Sequence, residues 1–338
     1  MAVSPAPSPE EVSSALRQGL AGRFPGAVTD VEVPVRVTGG FDMWIYGLHF
    51  GGAGLPAQWT APLIVRIPAL AERFVLLQRE RRLQAWVAAH GYPAPPQLEL
   101  FAPGELFDSP VQVMQRVAGT RMDAIMVATP SRIPGLVGQL AAAQAALHRL
   151  PVPEWAQAGS GWSLADKRLE LTRSLVAQGL RGPLAEALER TERIVPLLEV
   201  SEPVICHGDF HARNLLVDAD TVWVIDWTDA GIGDRHGDIA RTEWTFRSTA
   251  VLLSGETERP VSRAPDSALA GGYLSSYRRE FPVDAARLRL WMPLQYLNAW
   301  AMAVAGEQGV FGPSPAGFDS RIGTWAEKEF RLCIQDLP

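Results

Sequence analysis

Three oxygen-bearing side chains stand in an order that suits phosphoryl transfer: Asp209, Asn214 and Asp226. The first two lie in Cys206-His207-Gly208-Asp209-Phe210-His211-Ala212-Arg213-Asn214, which contains H-G-D-x-x-x-x-N; the third lies in Ile225-Asp226-Trp227. Moving a phosphoryl group onto a hydroxyl needs an Asp to orient that hydroxyl and accept its proton. It also needs oxygen ligands that hold magnesium on the nucleotide phosphates. Four residues separate Asp209 from Asn214, the spacing of a kinase catalytic loop. Asp226 ends the apolar run Val222-Trp223-Val224-Ile225. The run reads as a buried strand, where a carboxylate is costly unless something such as magnesium pairs with it. Asp and Asn also favour turns, but a turn alone leaves the Asp226 strand unexplained.

A second chemistry competes for the same stretch. His207, Asp209 and His211 form H-x-D-x-H, and His236 is close in sequence. Imidazole and carboxylate suit zinc, and a zinc-dependent hydrolase would follow. That reading gives Asn214 and Asp226 no task.

The motif resembles the aminoglycoside phosphotransferase family, the small-molecule branch of the protein-kinase-like fold. His207-Gly208-Asp209-(x4)-Asn214 and Ile225-Asp226-Trp227 carry the resemblance. Leu63-Ile64-Val65-Arg66-Ile67-Pro68, Arg79-Glu80, Val113-Met114-Gln115 and Gly233-Asp234-(x3)-Asp238 flank it, over roughly residues 28 to 240. Gly40-Phe41-Asp42-Met43-Trp44 and Val65-Arg66-Ile67-Pro68 are similar to macrolide phosphotransferase-like members.

The resemblance implies an α+β, two-lobed protein-kinase-like fold with a small antiparallel-sheet N-lobe and a larger, mainly helical C-lobe. Residues 1–117 would be the nucleotide-binding lobe, and 118–338 the helical lobe with catalytic loop and acceptor site. It implies a cytoplasmic small-molecule kinase using ATP or GTP and Mg2+, with Asp209 as base and Asn214 and Asp226 as metal ligands. The strand-three lysine of a protein kinase has no counterpart, because the lysines are Lys167 and Lys328. Arg66 is its substitute, a permanently charged group that can grip phosphate oxygens, with Glu80 as partner. Backbone groups at Gln115 and Val117 would meet the base, with Met114 packing on it.

The elements that must position these groups are legible in outline. Ser8-Pro9-Glu10-Glu11 is a helix start, with Ser8 as cap. Residues 31–37 alternate as a strand, and Gly39-Gly40 turns into a second strand over 41–50. Residues 63–67 and 111–117 read as further strands. Phe74, Leu77, Trp86 and Val87 recur at helical spacing within 71–89, ended by Gly91 and Pro93. Beyond Gly119 the pattern is helical over 133–147, 164–176, 184–198, 273–281 and 288–304. Asp234 and Asp238 read as helix caps, and His207 as a support of its loop. Pro- and Ser-containing stretches at 1–9 and 254–266 read as mobile.

Composition excludes several classes. A chain of 338 residues holds a substantial core. Its net charge of −6 argues against nucleic acid. No apolar run is long enough to span a membrane, and the start lacks signal-peptide features. Cys206 and Cys333 make no disulfide framework. No G-x-x-x-x-G-K-[ST] loop occurs.

The hydroxylated acceptor would face residues after Asp226. These mix acids (Asp229, Glu243, Glu256, Glu258, Asp266, Glu307) with aromatics (Trp244, Phe246, Trp291, Tyr296, Trp300). Acids suit an aminoglycoside and aromatics a macrolide, although Trp291, Tyr296 and Trp300 also fit a packed helical stripe. A primary metabolite, amino alcohol or sugar, is the alternative acceptor.

Overall fold

The structure is a computed structural model that describes residues 6–27, 30–37, 43–51, 54–69, 71–157, 162–219, 221–254, 267–308, 320–335 and 337. The chain divides into two compact units. One holds residues 1–119, 223–228 and 314–316; the other holds 120–222, 229–313 and 317–338.

The first unit begins with α1 (Pro9–Arg23), whose end is set by a reciprocal capping box between Ser8 and Glu11. Its sheet runs β2 (Val35–Val37), β3 (Met43–Leu48), β5 (Leu63–Pro68), β7 (Val111–Gln115), β6 (Gln97–Phe101), antiparallel throughout. The expected strand over 31–37 is broken. Val31 belongs to β1 (Asp30–Val31), which pairs with β4 (Phe50–Gly51), and Val35 starts β2. Pro34 lies at the break and has no amide for a ladder. The Gly39-Gly40 turn falls outside the described residues. α2 (Phe74–Ala89) follows β5. Val12, Leu16 and Leu20 of α1 join Tyr46, Leu63, Val65, Phe101 and Val113 in one core, each fully buried. Full burial of such a side chain contributes about 1.5–3 kcal/mol.

The second unit opens with β8 (Thr120–Arg121), α3 (Met122–Ala128), α4 (Ile133–His148), α5 (Glu154–Gln157), α6 (Leu164–Ala177) and α7 (Pro183–Ile194). β9 (Val204–Cys206) leads into the H-G-D loop and pairs with β12 (Gly231–Gly233), while β10 (Leu215–Asp218) pairs with β8. β11 (Thr221–Val224) carries the chain toward Asp226. α8 (Arg235–Ser254), α9 (Ser267–Tyr277), α10 (Ala285–Glu307) and α11 (Ser320–Cys333) complete it.

Four described helices lie outside the segments read as helical: the short α3 and α5, and the longer α8 and α11. In α8 the buried residues include the polar His236, Asp238, Thr242, Glu243 and Ser248 beside Ile239, Ala240, Trp244 and Val251, so no apolar stripe marks the packed face. α11 buries Ile322, Trp325, Ala326 and Phe330 in a helical repeat that was visible and passed over.

Candidate active site

In the first unit the site centres on Arg66. β5 is interior to the sheet, and Arg66 is buried there, not on an edge. Its Nη1 makes an ion pair with Glu80 of α2 and donates to Gln112 Oε1 at 3.1 Å. Its Nη2 donates to Asp226 Oδ1 at 3.3 Å and Thr228 Oγ1 at 3.1 Å. The Thr228 hydroxyl also lies 3.0 Å from Glu80 Oε2 and 3.1 Å from Asp226 Oδ1. One guanidinium thus serves two carboxylates. Burial pushes the Glu80 carboxyl up, against the pull of Arg66, and the nearby Asp226 charge raises it further.

The segment 223–228 is fastened to the same unit. Val224 N donates to Pro93 O at 2.8 Å, and Trp227 packs edge-on against Tyr92 with centroids 5.8 Å apart. The strand is only half-buried, and the Asp226 side chain is 49% exposed, so the expected buried carboxylate is corrected to a presented one. Asp226 holds φ at +64°, a left-handed conformation costly for a residue with a Cβ and typical of functional positions. Fully buried Trp227 beside it fixes the turn.

The candidate base-binding residues stand at the end of β7. Met114 is buried, and Gln115 and Val117 are half-buried. The Gln115 amide donates to Pro96 O at 2.9 Å, so it is already spent.

In the second unit the loop after β9 carries Asp209. Gly208 has φ +78°, and a Cβ there would lie 2.2 Å from Asp229 O, so only glycine passes. The loop is pinned on several sides. His207 N and Gly208 N donate to Asp238 at 3.2 and 2.7 Å. Arg168 of α6 donates to Gly208 O and, at 2.8 Å, to Asp229. Thr242 Oγ1 donates to Phe210 O at 2.8 Å. His207 packs on Phe210, and its Nδ1 accepts from the Asp209 amide at 3.3 Å.

Asp238 is therefore no helix cap. It is a fully buried anchor of the loop that also accepts from Gln144 Nε2 at 3.0 Å and faces His148 Nε2 at 3.1 Å. Asp234 does accept from the His236 amide near the start of α8, and it also binds Arg287 and Trp291.

Both oxygens of Asp209 are engaged. Arg241 of α8 places Nε at 2.9 Å and Nη2 at 2.7 Å from Oδ1. Oδ2 faces His211 Nε2 at 3.2 Å and Asn214 Nδ2 at 3.3 Å. Burial alone would raise this carboxyl, but His211 and Arg241 together hold it well below the usual carboxylate range. Asn214 Nδ2 also donates to Asp209 O at 2.9 Å, which leaves its amide oxygen as the free end for a cation.

The zinc set does not assemble. Among the described residues, the group whose ligand atoms converge is His148, Cys206 and Asp238, not His207, Asp209 and His211. Those three atoms are already in hydrogen bonds within a closed interior. The donors at Asp226 and Asn214, a carboxylate and an amide oxygen, are the hard type that magnesium takes.

Several acceptor candidates are spoken for. Asp229 pairs with Arg168 and Glu243 with Arg247; Trp291, Tyr296, Trp244 and Trp300 are buried. Glu256, Glu258 and Asp266 lie outside the described residues. Sequence reasoning missed Gln112, Thr228, Arg168 and Arg241. No local pattern marks the first three. Arg241 follows Asp238 by one helical turn, which was a usable signal.

An antiparallel sheet with its glutamate helix, followed by a helical unit bearing the H-G-D-x-x-x-x-N loop, defines a protein-kinase-like phosphotransferase fold. The comparisons place the chain more closely. The model of the APH family, described as the phosphotransferase enzyme family, matches residues 56–289. The chain belongs to that family and is a small-molecule kinase. It is similar to streptomycin 3''-kinase of Streptomyces griseus, 27% identical over 241 residues that cover 66% of this chain and 80% of the relative. Its fold is shared with a thermostable mutant of aminoglycoside phosphotransferase APH(4)-Ia in ternary complex with ADP and hygromycin B. That likeness has TM-score 0.60 and 16% identity, over 95% of this chain and 98% of the other. It is shared as well with the ethanolamine kinase of Plasmodium vivax, with TM-score 0.59 and 12% identity, over 90% and 84% of the two chains. Among the described residues no helix is long and apolar enough to cross a membrane.

Proposed function

We propose that this protein transfers the γ-phosphoryl group of ATP or GTP to a hydroxyl of a small molecule. Asp209 orients the acceptor hydroxyl and takes its proton as the oxygen bonds to phosphorus; the bond from phosphorus to the bridging oxygen breaks and the nucleoside diphosphate leaves. Residues 1–117 serve as the nucleotide-binding part and 118–338 carry the catalytic loop and acceptor groups. Asn214 and Asp226 hold magnesium, which supplies charge neutralisation on the phosphates when bound. Arg66 contributes positive charge toward phosphate while Glu80 fixes its orientation. Met114 packs on the base, and with the Gln115 amide taken by Pro96, the backbone at Val117 meets the base edge.

The observation that carries this reading is the geometry at Asp209, whose carboxylate meets Arg241 and His211 with Asn214 at hydrogen-bonding distance. A loop fixed from four sides holds that carboxylate in one position for an incoming hydroxyl. An antibiotic of aminoglycoside or macrolide type is the leading acceptor class, supported by the likeness to streptomycin 3''-kinase, and resistance in the cytoplasm is the role that goes with it. A second reading, a kinase of an amino alcohol or sugar, is supported by the fold shared with an ethanolamine kinase. The test is Asp209→Asn. It lowers kcat by about 10²–10⁴ while nucleotide affinity stays near the parent's; turnover near the parent's in that variant removes Asp209 as base.

A further inference from the structure

The carboxylate assigned as base does not present a bare negative charge. Arg241 covers Oδ1 through two nitrogens, at 2.9 and 2.7 Å. Its guanidinium lies over the Trp244 ring, 4.5 Å from the centroid, which holds it in place from α8. A second guanidinium, Arg168, grips the carbonyl of the residue before the base and is itself 3% exposed. The neighbouring acids do not restore negative charge. Asp229 is paired with Arg168, Glu243 with Arg247, and Asp238 is consumed by loop amides, Gln144 and His148. The position beside the base is thus already taken by a cation of the protein's own.

We propose that Arg241 is a specificity-determining residue that selects acceptors whose reacting hydroxyl has no ammonium or guanidinium group next to it, a neutral polyol or sugar-like hydroxyl. This rests on Asp209 being the base, and among the acceptor classes named above it favours the sugar over the aminoglycoside and the amino alcohol. An acceptor carrying a cation beside its hydroxyl has to bring like charge against Arg241 or displace it from a two-nitrogen pair, and like charges at close range are strongly disfavoured. A neutral hydroxyl needs only to share a carboxylate oxygen.

The experiment uses the full chain with Mg2+ and ATP and matched acceptor pairs: methyl glucoside against methyl glucosaminide, and inositol against an aminocyclitol of the same ring. Each member's kcat/KM is measured for the parent, Arg241→Gln and Arg241→Lys. The parent favours the neutral member of each pair by about tenfold or more. Arg241→Gln reduces that ratio toward one or inverts it, and Arg241→Lys retains most of it because the charge remains. A second measurement needs no turnover of the probes: inhibition of acceptor-free nucleotide hydrolysis. In the parent the neutral member competes better than its amino partner, and in Arg241→Gln the order levels or reverses. A parent that prefers the amino members, or a ratio unchanged in Arg241→Gln at unchanged melting temperature and nucleotide affinity, overturns the proposal. Undiminished transfer in Asp209→Asn would instead remove the base assignment beneath it, so the two failures are separable.

Discussion

The two units each present a carboxylate to chemistry, and they wire it in opposite ways. Around Asp226 one guanidinium, Arg66, faces two carboxylates, and Glu80 is driven toward its neutral form by burial. Around Asp209 one carboxylate faces a guanidinium, an imidazole and an amide, and against the pull of burial His211 and Arg241 lower its pKa. The first cluster offers one guanidinium to two carboxylates, and the second surrounds one carboxylate with donors. A deficit suits a group that must take up a cation. Saturation with donors suits a carboxylate that must hold one orientation toward an incoming hydroxyl.

The sharpest way to break that contrast is to remove each carboxylate and follow the metal. Asp226→Ala lowers kcat by about 10²-fold or more and raises the magnesium concentration needed for half-maximal rate. Asp209→Asn lowers kcat comparably at an unchanged magnesium requirement. Titration of activity with Mg2+ separates the two, and equal metal dependence in Asp226→Ala and parent would remove Asp226 as ligand.

Stability should follow the same division. The Arg66 and Glu80 side chains are 10% and 1% exposed, so Arg66→Ala strands a buried carboxylate and costs about 3–5 kcal/mol in urea unfolding. Asp209, at 23% exposed, loses less on removal of Arg241, about 1–2 kcal/mol after solvent screening. A smaller cost at Arg66 than at Arg241 would reverse the ranking. In the same variants Arg66→Ala weakens nucleotide binding about tenfold, one lost phosphate contact, and Arg66→Lys recovers part of it as a point charge. Equal nucleotide affinity in parent and Arg66→Ala would leave Arg66 a purely structural role.

Acid offers a further test. Burial would raise Asp234, but hydrogen bonds from His236 and Arg287 carry its carboxyl far below the ordinary range. Its stabilisation is fully present above the unfolded value of about 4 and is lost as pH falls through the lower folded value. Asp238 acts in the same direction: burial would raise it, but His148 and Gln144 lower it. Unfolding free energy in the parent therefore declines below about pH 4, and Asp234→Asn flattens that decline while lowering stability at pH 7. The smallest effect expected is from salt. With the base neutralised by Arg241, acceptor KM changes little with ionic strength once nucleotide KM is controlled; a steep rise would point to a polycation.

Much of this arrangement was readable in the chain. Ser8 and Glu11 announce α1, the apolar runs announce β5 and β7, and Asp209, Asn214 and Asp226 stand in kinase order along the chain. The Arg66–Glu80 pairing was expected and the ion pair is present; its role toward phosphate remains a proposal. The break at Pro34, helix α8 and the exposure of Asp226 were not readable. Each depends on which neighbours surround a segment: α8 hides its packed face because polar residues there are satisfied by distant partners, and Asp226 is exposed because its strand is covered only in part.

What the sequence determined by itself was local. Spacing along the chain set which chemistry Asp209 and Asn214 can share, because four residues are few enough for one loop to hold both. Glycine at 208 stands in the same loop, but what demands it is tertiary, since only its missing Cβ passes Asp229 O. The tertiary structure decided the charge state of those groups. Arg241 and Arg168 lie 32 and 61 residues from their acidic partners Asp209 and Asp229, and Glu80 lies 148 from Thr228. A carboxylate's pKa answers to whatever charge and burial reach it through space, and no periodicity along the chain records that.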